Sequence, residues 1–285
     1  MDNSQILSIT GSFLQSIRRA ALVSKTSDPW IRWHMHLMRW ADDACRLVAD
    51  RIAGTPPSHV LDVATGTGTP SLYLAKTWPQ CRVEACDIFP ESIEVATLLA
   101  QEDGLANVRF CVAAAEDLAY PDGSFDLLTC FFSLMYMADP SLVAKRFLEL
   151  VRPGGRIIIT TWAGENELFR LVKQVFGLEA YVVYPDGKNP YAFSDERNIV
   201  NLFTTASIAH ISVAWETIGL YWEGNEYELW SFFKDSNPFI KELLASLPEP
   251  ERREKEERIC SLLNGLYTDG GIRFSADMLI CVVQL

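Results

Sequence analysis

Between Val60 and Trp162, short apolar runs alternate with segments whose apolar positions recur at helical spacing. Val60-Leu61-Asp62-Val63 leads into a glycine turn, and Pro70-Ser71-Leu72-Tyr73-Leu74-Ala75 opens a helix directly after it. The alternation continues with a strand at Cys81–Ile88, a helix at Ile93–Gln101, and strands in Val108–Val112 and Phe125–Cys130. A helix at Ser141–Leu150, the turn Arg152-Pro153-Gly154-Gly155 and a strand at Arg156–Trp162 complete it. Apolar strands separated by helices predict an α/β fold with a buried, parallel, doubly wound sheet. Beyond Trp162 the pattern changes to helices around two antiparallel strands, His210–Tyr221 and Ala276–Gln284. The charges of a helix near Glu249–Leu266 form a solvated face. Ahead of the first strand, Ile6, Ile9, Phe13 and Ile17 fall at helical spacing.

The turn Ala64-Thr65-Gly66-Thr67-Gly68-Thr69-Pro70 carries the first chemical signal. Two glycines let the backbone pass close to a ligand, and the helix that follows points its free amides at it. Pro70 suits that first turn. A dinucleotide fingerprint requires G-x-G-x-x-G, and its third glycine position here is Ser71. Asp62, four residues before Gly66, would repel a pyrophosphate but could hold a ligand's ammonium group through ordered water. Asp87 follows Gly68 by nineteen residues at the end of the second strand, where a carboxylate accepts hydrogen bonds from both ribose hydroxyls. It stands too early to cap the helix after it.

These residues resemble motif I of the class I S-adenosylmethionine-dependent methyltransferases, D-x-G-x-G-x-G, here Asp62-Val63-Ala64-Thr65-Gly66-Thr67-Gly68 with Ala64 in place of the first glycine. The resemblance runs from about 58 to 163 and is nearest to the small-molecule methyltransferases of ubiquinone and menaquinone biosynthesis. It implies a Rossmann-like, mostly parallel seven-stranded sheet with a reversed terminal strand, for which Met278-Leu279-Ile280-Cys281-Val282-Val283 is the candidate. It also implies S-adenosylmethionine as cofactor, S-adenosylhomocysteine as product, and a cofactor set of Asp62, Ala64, Thr65, Gly66, Gly68, Asp87 and Ile88. In the adenine loop an aspartate of the family is replaced by Ala114, which leaves the amide of Ala115 and the side chain of Glu116, itself equally readable as a solvated loop acid. Phe131, Phe132 and Ser133 would lie against the adenosine and methionine parts, and Met135 and Tyr136 would face the acceptor. So dense an apolar run reads equally well as core. Phe125-Asp126 reads as structural.

Composition narrows the partners. With 285 residues, 49% of them apolar, the chain can bury one full-sized core. The expected division is an N-terminal helical cap at 1–57 and a methyltransferase domain at 58–285, with lid and acceptor-site elaborations in 164–275, all in one unit. A net charge of −12 disfavours nucleic acid, and the N-P-P-Y type of motif is missing after the fourth strand. Seven cysteines without a C-x-x-C pair point to buried apolar residues in a reducing compartment and to no metal. A cytoplasmic location without a membrane span is expected, and the acid-free, Arg18-Arg19-containing stretch 3–25 leaves a mitochondrial presequence open.

The acceptor side is read from aromatics. Trp30, Trp33, His34, His36 and Trp40 could close the site as a lid or, for Trp33, Leu37 and Trp40, form a core stripe. Trp162, Tyr184, Tyr191 and Trp230, with Phe169, Tyr181, Phe193 and the segment Tyr227–Phe233, would line an acceptor chamber. Tyr136, His34 and His36 are the candidates for removing the acceptor's proton. The expected activity is methyl transfer to a small, largely apolar or aromatic acceptor in natural-product or quinone-like metabolism, with oxygen placed before nitrogen and carbon on family habit. A homodimer through the N-terminal helices is the expected assembly. A cyclase or isomerase that keeps the cofactor, and a noncatalytic partner subunit, are the alternatives.

Overall fold

The computed structural model of the protein describes residues 38–52, 54, 56–178, 187–204 and 208–285. The strands are β1 (His59–Val63), β2 (Arg82–Asp87), β3 (Val108–Val112), β4 (Phe125–Phe131), β5 (Val151–Trp162), β6 (His210–Glu223), β7 (Tyr267–Thr268) and β8 (Gly271–Gln284). The helices, in chain order, are α1 (Met38–Ile52), α2 (Thr69–Thr77), α3 (Pro90–Glu102), α4 (Pro140–Leu150), α5 (Glu167–Phe176), α6 (Glu196–Leu202), α7 (Glu226–Ser236), α8 (Pro238–Ala245) and α9 (Glu249–Asn264). Among the described residues no helix is long and apolar enough to cross a membrane.

The sheet runs β3-β2-β1-β4-β5-β8-β6, with the two-residue β7 folded back on the start of β8. Strands β1 to β5 are parallel, and β8 is antiparallel to both of its neighbours. The reversed strand therefore stands inside the sheet and leaves β6 at the edge, with β7 a short addition to the seven strands expected. The order reverses between β1 and β4, and open α/β sheets bind ligands outside the carboxyl ends of their strands at such a switch point.

Central strands that are apolar on both faces need helices on both. One face is covered by α1, α2, α3, α5, α7, α8 and α9, through residues such as Val48, Leu72, Leu99, Val172, Phe233, Ile240 and Leu263. The other carries α4 and α6, with Phe147, Leu150, Ile199 and Phe203 packed on Leu128 and Ile157. Helix α1 lies against α2 and β6 and sinks Ala44, Cys45, Val48 and Ile52 into the core. Six of the seven cysteines are buried, and Cys111 is exposed.

Strands β6 and β8 extend beyond the span expected from sequence. Trp162, the last residue of β5, pairs with Met278, so residues 271–277 of β8 and their partners on β6 continue as a two-stranded ribbon past the carboxyl end of β5. Ile218, Leu220, Trp222, Ile272, Phe274 and Ala276 of that ribbon pack into the same core as α5 and α7.

Candidate active site

The carboxyl end of β1 turns through left-handed backbone. Ala64 (φ 57°), Gly66 (φ 59°) and Gly68 (φ 89°) take conformations that L side chains rarely adopt. Of the three non-glycine residues with positive φ among those described, Ala64 follows β1, Phe132 (φ 51°) follows the adjacent β4, and Asp269 turns the β7–β8 hairpin. Two of the three strained positions thus flank the switch point, where strain marks function more often than chance. Gly68 is required for packing as well. A Cβ there would stand 2.8 Å from the Cβ of Ala96, so its absence lets α3 close on the start of α2. Inside the turn, the hydroxyls of Thr65 and Ser71 are 2.7 Å apart, and Ser71 also donates to the Gly68 carbonyl.

Asp62 lies directly beneath this turn with no exposed surface. Its Oδ1 accepts a hydrogen bond from the Thr129 hydroxyl at 2.7 Å, and its buried Oδ2 accepts none. Burial pushes the carboxyl up to about 7, against the pull of Thr129 first and then of the Thr65 hydroxyl and the Ser71 amide, and nearby Asp87 adds to the rise. A buried carboxyl oxygen without a close hydrogen-bond partner is a feature that a bound cation, reached through water, would satisfy.

Asp87 ends β2 and is 6% exposed. Its Oδ2 accepts the Gly66 amide at 2.7 Å and its Oδ1 the Phe89 amide at 3.0 Å, so it is tied to the glycine turn. Burial raises its carboxyl, and these amides, Phe89 first, counter the rise. It does not cap α3, whose N-cap residue is Phe89. Beside it, Ile88, Phe89 and Val112 are exposed by 60%, 52% and 52%, an unusual outlay of apolar surface at the ends of β2 and β3. Ile88 is in the set expected from sequence; Phe89 and Val112 are not. An apolar pair immediately before the proline of a helix start was the available signal for Phe89, whereas Val112 reads as an ordinary strand residue. Ala115 is buried and Glu116 half-buried in the short helical turn Ala115–Asp117.

The segment after β4 divides. Phe131 is buried in the α2 face of the core, and the ring of Phe132 packs on Trp162 at 4.2 Å between centroids. The Ser133 hydroxyl donates to the Phe131 carbonyl. Met135 is buried in the α4 face, and Tyr136 packs against that face half-buried.

The aromatic chamber expected from sequence is not assembled as one unit. Phe169, Trp230 and Phe233 pack together on one face of the sheet, with Trp230 donating its indole N–H to Glu256, while Phe193 packs on the opposite face. Trp230 is thus placed as a packing residue with its polar atom satisfied, and Met135 is likewise core. Their helical or post-strand spacing reflects burial. Tyr191 is also buried, whereas Trp162 is half-exposed at the strand ends. Trp30, Trp33, His34, His36, Tyr181 and Tyr184, the helix expected over Ile6–Ile17 and the side chain of Trp40 lie outside the described residues. Of the three expected proton acceptors only Tyr136 is therefore placed.

A family model described as a methyltransferase domain matches residues 55–207, more than half of the chain. The chain belongs to the methyltransferase-domain family. Demethylmenaquinone methyltransferase of Thermus thermophilus is 34% identical over 122 residues, 43% of this chain and 53% of that protein. Ubiquinone biosynthesis O-methyltransferase of Xanthomonas euvesicatoria pv. vesicatoria is 37% identical over 136 residues, 47% of this chain and 55% of that protein. The chain spans about half the length of these curated relatives. Among solved structures, the YcgJ protein of Bacillus subtilis shares the fold at a TM-score of 0.54 and 19% identity, covering 85% of this chain and 97% of that one.

The residues present fit S-adenosylmethionine, the cofactor that the resemblance to motif I implies. The open oxygen of Asp62 suits a cation, Asp87 suits a diol, the exposed Ile88, Phe89 and Val112 suit a flat apolar base, and the left-handed turn admits close approach.

Proposed function

We propose that this protein transfers a methyl group from S-adenosylmethionine to a small, largely apolar or aromatic acceptor, with oxygen as the receiving atom. The observation that carries this reading is the buried Asp62 carboxyl with one unsatisfied oxygen beneath the strained turn at the switch point. When bound, S-adenosylmethionine supplies an electrophilic methyl group on a sulfonium, and the protein contributes alignment and exclusion of water. In this reading Asp62 holds the ammonium end through ordered water, Asp87 accepts from the ribose hydroxyls, and Ile88, Phe89 and Val112 enclose the base. The Phe132–Trp162 pair borders the acceptor side. Support for an oxygen acceptor comes from one quinone-pathway relative, which is named an O-methyltransferase. A homodimer built through the N-terminal segment belongs to the same proposal.

Calorimetric titration with S-adenosylmethionine, with NAD as control, tests the reading. One-to-one binding of the first alone is expected, and Asp87→Ala is expected to weaken it at least about tenfold through the loss of charge-assisted hydrogen bonds. Unchanged affinity in that variant removes Asp87 from the ribose role. Failure of the wild type to bind removes the whole assignment. Consumption of S-adenosylmethionine with an acceptor separates methyl transfer from a cyclase that only retains the cofactor.

A further inference from the structure

A further buried carboxylate oxygen without a hydrogen-bond partner lies just beyond the end of β5. Glu165 lies in the four-residue link 163–166 between β5 and α5, at the carboxyl edge of the sheet. Its side chain is 8% exposed, its Oε2 lies 3.0 Å from Nζ of Lys173, and its buried Oε1 accepts no hydrogen bond. The link is rigidly held. The Ala163 amide donates to the Asp277 carbonyl on β8, the Asn166 side chain caps α5 through the Phe169 amide, and Glu167 accepts the Ser275 amide. Trp162, immediately before the link, packs on Phe132, the residue that follows β4 at the switch point.

A buried carboxylate oxygen without a hydrogen-bond partner carries a cost that calls for an explanation, and a bound ligand is one. Asp62 is accounted for by the cofactor, and Glu165 is not. We propose that Glu165 is the acceptor-recognising carboxylate of the site, taking a hydrogen bond at Oε1 from an O–H or N–H donor of the acceptor while Lys173 fixes Oε2; this rests on the methyl-transfer reading above. The geometry explains why one oxygen is anchored and the other waits. The ion pair sets the rotamer in advance, so the free lone pairs are preorganised, and an acceptor without a donor leaves them buried and unpaired. The ligand class is a small apolar body bearing a hydroxyl or amine at its edge.

The test uses the full chain loaded with S-adenosylhomocysteine and two probes of similar apolar body, catechol and 1,2-dimethoxybenzene, which lacks the donors. Binding is read by calorimetry or ligand-detected NMR. Wild type is expected to prefer catechol by about tenfold to a hundredfold, the range of a hydrogen bond to a charged group. Glu165→Gln is expected to reduce the preference by about tenfold and Glu165→Leu to remove it, each with S-adenosylhomocysteine affinity within about twofold of wild type. Should the leucine variant fail to fold, the isosteric glutamine variant decides. A wild type that does not discriminate, binding of neither probe included, overturns the proposal. So does a glutamine variant that melts earlier yet keeps the full preference, since that marks a purely structural ion pair. Loss of S-adenosylhomocysteine binding by the wild type is a separate result, which removes the cofactor reading instead.

Discussion

Single residues decide the cofactor end of the site, and their energetics are testable one at a time. Asp62 holds its proton up to about pH 7 in the empty protein, against an ordinary value of 3.8. The folded state therefore binds more protons than the unfolded chain between those values, and the empty protein loses stability as pH rises through the window. A bound ammonium group reverses the balance by favouring the carboxylate. Affinity for S-adenosylhomocysteine is expected to rise with pH from about 5 to about 7, with a proton released on binding. Calorimetry in buffers of different ionisation enthalpy measures that proton, and Asp62→Asn is expected to bind more weakly with a flat profile; a wild-type profile as flat as the variant's refutes the coupling. Gly68 is the second such residue. Gly68→Ala forces a Cβ to within 2.8 Å of Ala96 at φ 89°, and a cost of about 1–3 kcal/mol is expected from the denaturation midpoint. Gly104→Ala, at φ 66° with nothing within 4 Å, carries the backbone strain alone and is expected to cost less. The acids and glycines were legible in the sequence because their spacing is local. Thr129 and Glu165 were not, since a hydrogen bond across 67 residues and an unmatched oxygen exist only after the strands pair.

At the scale of elements, the alternation of apolar runs predicted β1 to β4 and their helices to within a few residues, with α3 beginning at Pro90 and α4 at Pro140, while the expected turn Arg152–Gly155 is instead the first part of β5. Prolines at first turns make such starts readable. The longest departures are β5 and β8, each of which begins five residues before its expected start; the added part of β8 lies in the ribbon beyond β5, where ordinary amphipathic residues owe their strand character to pairing with β6. Asp126 shows how one side chain joins elements. It accepts the amides of Ser58 and His59 at the entry to β1 and the guanidinium of Arg152 at the start of β5. Although burial acts to raise it, hydrogen bonds from Ser58 and Arg152 hold its carboxyl down at about 2. A depressed carboxyl stabilises the fold fully above its unfolded value of 3.8, and that contribution is lost as pH falls through about 2. Asp126→Asn is expected to cost about 1–3 kcal/mol near neutral pH and to flatten the acid limb of the stability curve. Denaturant titrations at several pH values check both; an unchanged acid limb would exclude the network.

For the molecule as a whole, ligand binding and folding are one equilibrium. S-adenosylhomocysteine at about a hundredfold its dissociation constant is expected to add about 2.7 kcal/mol and raise the melting temperature by about 5 °C or more, with no shift from NAD. Differential scanning fluorimetry reads this directly, and equal shifts from both ligands would point to another nucleotide. The pattern along the chain was sufficient for a doubly wound sheet, a glycine turn at its first strand and two acids at strand ends, because each is a feature of neighbouring residues under one backbone period. It could not sort the aromatics. Trp230, Phe169 and Phe193 share the composition of a binding chamber, yet they are separated by the sheet itself, and only the packing of helices on its two faces assigns each to a core. Nor could it foresee that the last strand would insert between β5 and β6 and carry a ribbon past the strand ends. Strand order and the fate of a buried carboxylate depend on which distant groups arrive beside it, and the folded chain alone brings them together.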